Sequence, residues 1–89
     1  MFEWDETKRE ANLVKHALDF EDAGAFFDKT EIMTVRSFGG GEERWKSIGV
    51  LDDRFVMVVW TWRLPKRRII AMRRARSEEG RAYRSVYGG

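Results

Sequence analysis

The residues best suited to chemistry open the chain. The stretch FEWDETKREANLVKHALDF at positions 2–20 holds its only histidine. An imidazole can give and take protons near neutral pH without a special environment. Lys8, Asn12 and either Lys15 or His16 recur at helical spacing, so three polar groups can converge on one face. Lys15 adds positive charge beside the imidazole. The alternative role for His16 is a helix-terminal one, bonding the last carbonyls and offsetting the dipole.

A second constellation is cationic. Period-two alternation places Phe55, Met57, Val59, Thr61 and Arg63 on one face of a strand. In the next run it groups Arg68, Ile70, Met72 and Arg74, with Ile69, Ala71 and Arg73 on the other side. Arg44 begins the preceding apolar run. Arginines at strand ends can gather at one edge and grip phosphate bidentately. Otherwise they are rim residues paired with carboxylates, the reading that suits Arg67, Arg81 and Arg84 better, while Lys66 falls in an exposed turn. Glu79 and Tyr83 stand one helical turn apart, on one face. Glu79 can orient His16 or act as a base, and Tyr83 can donate to a phosphate or stack on a base; both can instead dock the last helix. Trp45, Trp60 and Trp62 can stack on bases or fill the core.

The elements that must position these groups follow from pattern and punctuation. A short strand leads into a helix capped by Asp5, with Trp4, Ala11, Val14 and Leu18 as its apolar stripe. A second helix begins near Asp19 and ends near Asp28, burying Phe20, Ala23 and Phe26 or Phe27, with acidic residues in its first turn. Strand-like runs occupy 31–38, 44–51, 55–63 and 68–74. Gly39-Gly40-Gly41, Asp52-Asp53 and Leu64-Pro65-Lys66 separate them. The run 55–63 is apolar on both faces and therefore central. Ser77 caps a C-terminal helix through about Arg84, weakened by Gly80. Short turns argue an antiparallel meander. The expected fold is α+β: a small antiparallel sheet of about four strands, two N-terminal helices packed on it and a short C-terminal helix, forming one domain over residues 1–89.

Composition narrows the function further. With 89 residues and 43% hydrophobic content the chain can build one modest core. There is no cysteine, so neither disulfides nor thiolate metal sites arise, and one histidine rules out a His-rich site. No metal or other cofactor is expected. No run of 18 apolar residues occurs and Met1 leads into a charged segment, so the expectation is a cytoplasmic protein without signal peptide or membrane span. The net charge of +2 hides a polarised chain. Residues 1–53 carry seven Lys/Arg and thirteen Asp/Glu, and residues 54–89 carry ten and two, so the halves stand at −6 and +8. Nine of those ten C-terminal cations are Arg, whose planar fork suits phosphate. No spacing suggests a Ser–His–Asp triad or a Gly-rich phosphate loop.

The N-terminal stretch resembles the BrnT toxin family of type II toxin–antitoxin systems, whose members open with a pattern like FEWD-x2-K-x3-N-x2-KHG-x2-F. Phe2, Glu3, Trp4, Asp5, Lys8, Asn12, Lys15, His16 and Phe20 match it. The resemblance resumes at Glu43-Arg44, Gly49, Val58-Val59, Thr61, Arg63, the run RIIAMRRA from Arg68 to Ala75, Glu79 and Tyr83. Ala17 stands where Gly is usual and Ala71 where Ser is common, and Gly39-Gly40-Gly41 falls in a variable loop. The resemblance implies a RelE/ParE-like fold and an endoribonuclease that cleaves RNA and arrests translation. It also implies a BrnA-type antitoxin partner that represses the shared operon as a complex. Operator DNA would then be contacted only through that complex, which can be a dimer of toxin–antitoxin heterodimers. On this reading His16 is the general acid or base, Arg44, Arg63 and Arg73 hold the phosphate, and Glu79 assists. Lys8, Lys15, Arg68, Arg74 and Tyr83 bind RNA. Two other functions fit the same charges: a non-catalytic module that binds nucleic acid or an acidic antitoxin segment, and a ParE-like gyrase poison.

Overall fold

A computed structural model describes residues 1–29 and 31–88. The chain runs β1 (Phe2–Glu3), α1 (Glu6–His16), a 3-10 turn (Phe20–Asp22), α2 (Ala23–Phe27), β2 (Met33–Gly39), β3 (Glu42–Leu51), β4 (Arg54–Arg63), β5 (Lys66–Arg74) and α3 (Ser77–Tyr87). The fold is α+β, and its sheet has five strands in the order β1-β5-β4-β3-β2. The expected meander forms β2 to β5, all antiparallel. The correction lies at the edge. The opening strand joins the sheet parallel to β5, pairing Phe2 with Arg67 and Glu3 with Arg68, so the sheet is mixed. Two residues are too few to show a period, and the pairing spans 65 residues of chain.

The segment expected as one second helix is a 3-10 turn followed by a five-residue α2. Together with Leu18 they bury Phe20, Ala23 and Phe26 against Val56, Val58, Trp60, Ile69 and Met72 on one face of the sheet. Gly49 admits that packing, because a Cβ there would lie 3.2 Å from the Phe26 ring. α3 covers half of the opposite face, where Tyr83 joins Ile48 and Met57 in a second cluster.

Helix α1 departs from the expected apolar stripe. Asp5 does cap it, accepting from the backbone N–H of Thr7 at 2.8 Å and of Lys8 at 3.2 Å. Val14, however, is 89% exposed and Ala11 is exposed, while Asn12 is buried. The reason is that α1 meets the edge of β5, where backbone groups beyond the β1 pairing need partners. Asn12 supplies one: its Oδ1 accepts from the Met72 N–H at 3.2 Å, and its Nδ2 donates to the Leu18 carbonyl at 3.0 Å. Arg9 ties the same helix to the 3-10 turn by donating twice to Asp19, at 2.8 and 3.1 Å, and once to Glu6.

A bulge alters the faces of β5. Val59 sits opposite Ala71 but Trp60 sits opposite Ile69, leaving Ile70 without a partner. Strict alternation therefore fails: Arg68 shares its face with Ala71 and Arg73, and Met72 and Arg74 turn to the helical side with Ile69 and Arg67. At the end of β5 the helix cap also differs from expectation. The N-cap of α3 is Arg76 rather than Ser77, and the Glu79 carboxylate reaches back to accept the Arg76 N–H at 2.7 Å.

Candidate nucleic-acid interface

The face of the sheet away from α2 carries the cations, placed there by alternation along three strands. On β3 it presents Arg44 and Lys46, on β4 Thr61 and Arg63, and on β5 Lys66, Arg68 and Arg73. α3 covers only the Phe55–Met57 end of this face. The end at the two hairpin turns is left open.

Within that open end Arg44 and Arg63 come together through one carboxylate. Glu42 lies 3.7 Å from Arg44 Nε and 3.7 Å from Arg63. Arg44 folds over the β2–β3 turn, so closely that a Cβ on Gly40 would fall 2.5 Å from its Nη2. Gly40 and Gly41 hold positive φ values of 58° and 76°, which explains the glycines of that turn. Arg44 Nε is buried without a hydrogen-bond acceptor, a donor available to an anion. Arg68 donates to Glu3 of the neighbouring strand at 2.8 Å.

Arg73 stands elsewhere. It lies opposite Met57, six residues along β4 from Arg63, a separation of about 20 Å at roughly 3.3 Å per residue. There it donates to both oxygens of Glu79, at 2.9 and 2.8 Å, and to the Arg74 carbonyl. The Arg73 guanidinium holds the Glu79 carboxyl below the ordinary glutamate range. Glu79 thus has Arg73 and not His16 as its partner, and its lowered pKa opposes proton uptake. Tyr83 is buried on Phe55 and donates to the Glu31 carbonyl at 2.9 Å, and burial raises its pKa.

His16 is half-buried in the last turn of α1 and has no side-chain hydrogen bond among the described residues. α1 runs along β5 from the level of Glu3–Arg68 to that of Asn12–Met72. One further turn carries His16 about 5–6 Å on, toward the Arg74 end. His16 and Arg74 therefore stand at one end of β5, and Arg44, Arg63 and Arg68 at the other. Lys8 and Lys15 are exposed on α1, and Arg74 has no carboxylate partner among the described residues.

Two features escaped the reading of the sequence. Arg67 is not a rim residue: its guanidinium lies 4.5 Å from the Phe27 ring centre, 4.8 Å from Trp60 and 5.4 Å from Trp62, and burial lowers its pKa. Alternation backward from buried Ile69 would have found it. Lys46, on the same side as Arg44, would have emerged from the same count. Trp45 stacks on Trp60, whose indole N–H donates to Ser47 at 2.9 Å, so these two rings are core. Trp62 is 41% exposed.

Among the described residues no three His, Cys, Asp or Glu side chains gather as metal ligands would, and no helix is long and apolar enough to cross a membrane. A comparison with curated proteins found no match. A family model described as the ribonuclease toxin BrnT of type II toxin–antitoxin systems matches residues 4–79. That span takes in α1, the whole sheet from β2 to β5 and the first turn of α3, and the chain belongs to the BrnT family of ribonuclease toxins.

Proposed function

We propose that the protein is a cytoplasmic endoribonuclease that cuts RNA without a metal ion, and that β5 is the track along which the strand lies. The observation that carries this reading is the run of cations along β5. Lys66, Arg68 and Arg73 lie on its open face and Arg74 turns toward α1 at its end, where His16 stands. Arg44 and Arg63 widen the track at the hairpin end and hold RNA phosphates. The unfilled Arg44 Nε is the donor best placed for one.

In this mechanism the 2′-hydroxyl loses its proton, the 2′-oxygen bonds to phosphorus and the bond from phosphorus to the 5′-oxygen breaks. The departing oxygen takes up a proton, leaving a 2′,3′-cyclic phosphate and a 5′-hydroxyl. His16 moves the proton at one of those two oxygens, and Arg74 offsets charge on the pentavalent phosphorane. Arg73 and Glu79 act on this centre by holding β5 and α3 in place. Lys8 and Lys15 lie on the same helix as His16 and attract the strand. A BrnA-type antitoxin is the inhibitor on this reading.

The test is labelled RNA incubated with purified protein in EDTA, with and without the antitoxin. Short products ending in cyclic phosphate, suppressed by the antitoxin, are expected; RNA left intact by the free and by the ribosome-bound protein would overturn the reading. His16→Ala should abolish cleavage and growth arrest while the protein keeps its fold. A folded His16→Ala variant that remains toxic removes His16 from the mechanism.

A further inference from the structure

Beyond the end of β5 the chain enters a second cationic feature. A cavity of about 490 Å³ lies between α3 and the start of β4. Its walls include Phe55, Arg76, Ser77, Gly80, Arg81 and Arg84, with no acidic side chain. None of the three arginines is in an ion pair among the described residues, although six other arginines are. The Arg84 guanidinium is 4.8 Å from the Phe55 ring centre, its planar fork held by the ring. A second observation is independent of charge. Gly80 sits inside α3, where glycine is among the poorest helix formers. No tight packing demands it: a Cβ there would meet Phe55 at 3.7 Å and Arg84 at 4.0 Å, ordinary contact distances. The missing side chain leaves the cavity open.

We propose that this cavity is a phosphate subsite for the RNA strand, seating a nucleotide next to the one cleaved and gripping its phosphate with Arg76, Arg81 and Arg84. The inference rests on the ribonuclease reading, which places the reaction at the adjoining end of β5. Ala75 and Arg76, both in the cavity wall, directly follow Arg74. Guanidinium forks match the oxygens of a phosphate two at a time. A closed, short concavity fits a single phosphate and ribose better than the long apolar groove that a protein helix requires.

The experiment measures binding of a fluorescein-labelled 2′-O-methyl oligoribonucleotide, which lacks the attacking hydroxyl and cannot be cut by this route. Affinity is read by anisotropy between about 50 and 200 mM KCl. Wild type is compared with the double variant Arg81→Gln/Arg84→Gln and with Gly80→Met, which fills the cavity while keeping all its charges; thermal melts confirm folding of each. The double variant should bind roughly tenfold more weakly, and its log–log salt slope should shrink by about 1.4 for two lost phosphate contacts. Gly80→Met should weaken binding in the same direction. Unchanged affinity and slope in both folded variants would overturn the subsite. So would normal RNA binding coupled to loss of antitoxin binding, since the surface would then belong to the protein partner. Because the probe resists cleavage, a wild-type protein that cuts no RNA fails the ribonuclease reading in a separate assay and leaves this result legible.

Discussion

Ala17 follows the last residue of α1 with φ 56° and ψ 32°, the left-handed conformation that usually closes a helix with glycine. Its N–H donates to the Leu13 carbonyl at 2.9 Å, so the turn beside His16 is made despite the methyl group. That geometry costs an L-residue about 1 kcal/mol. Ala17→Gly should therefore raise stability by up to about 1 kcal/mol, less the added freedom of the unfolded chain, measured as a higher midpoint in urea. Asn12 is the opposite case, a polar side chain whose burial is fully used. Asn12→Ala would strand the Met72 N–H and the Leu18 carbonyl away from water, a loss of about 1–3 kcal/mol. For a chain this small that lowers the melting temperature by roughly 5 °C or more. Asn12 fell within the sequence motif, but polarity alone cannot say whether an amide serves an RNA or a strand edge. Its register against β5 decides.

At the scale of elements, α3 is held by a small number of directional contacts. Arg73 and Glu79 join its first turn to β5, Tyr83 donates to the Glu31 carbonyl and Tyr87 to the Ile32 carbonyl. Glu79→Gln should lower stability by about 1 kcal/mol, as expected for a partly exposed bidentate pair. It should also speed amide exchange in α3 more than in β3 or β4; uniform acceleration would show that the pair is not specific to that helix. The strands, the Asp5 cap and the glycine turn were legible because alternation, a capping residue and positive φ each leave a local mark. The faces of β5 were not. A bulge at Ile70 is one unpaired residue, invisible to a period count, yet it reverses the side on which every following arginine emerges. The grouping of Arg44 with Arg63, and their distance from Arg73, likewise depends on strand order and not on spacing.

For the molecule as a whole, acid sensitivity concentrates in two carboxylates. Arg9 holds Asp19, and Arg73 holds Glu79, below their ordinary pKa values. A depressed folded-state pKa gives stability that is complete above the unfolded value near about 4. That stability is lost as pH falls through the lower folded-state values. Asp19→Asn/Glu79→Gln should consequently be less stable than wild type at pH 7, and the gap should close as the pH drops below about 4. Urea midpoints across that range check it; a gap that persists at low pH would mean that the pairs act by packing and not by charge.

The parallel β1–β5 pairing has one more consequence, in the time domain of synthesis. Glu3 meets Arg68 and Asn12 meets Met72, contacts across 65 and 60 residues of chain. Contacts so distant form only after the intervening chain is ordered. On the ribosome α1 therefore emerges first and docks last, once β5 has left the exit tunnel. A half-made chain displays the helix bearing His16 but has no strand for it to lie against, so translation is nearly finished before the molecule can turn on the machinery that is making it.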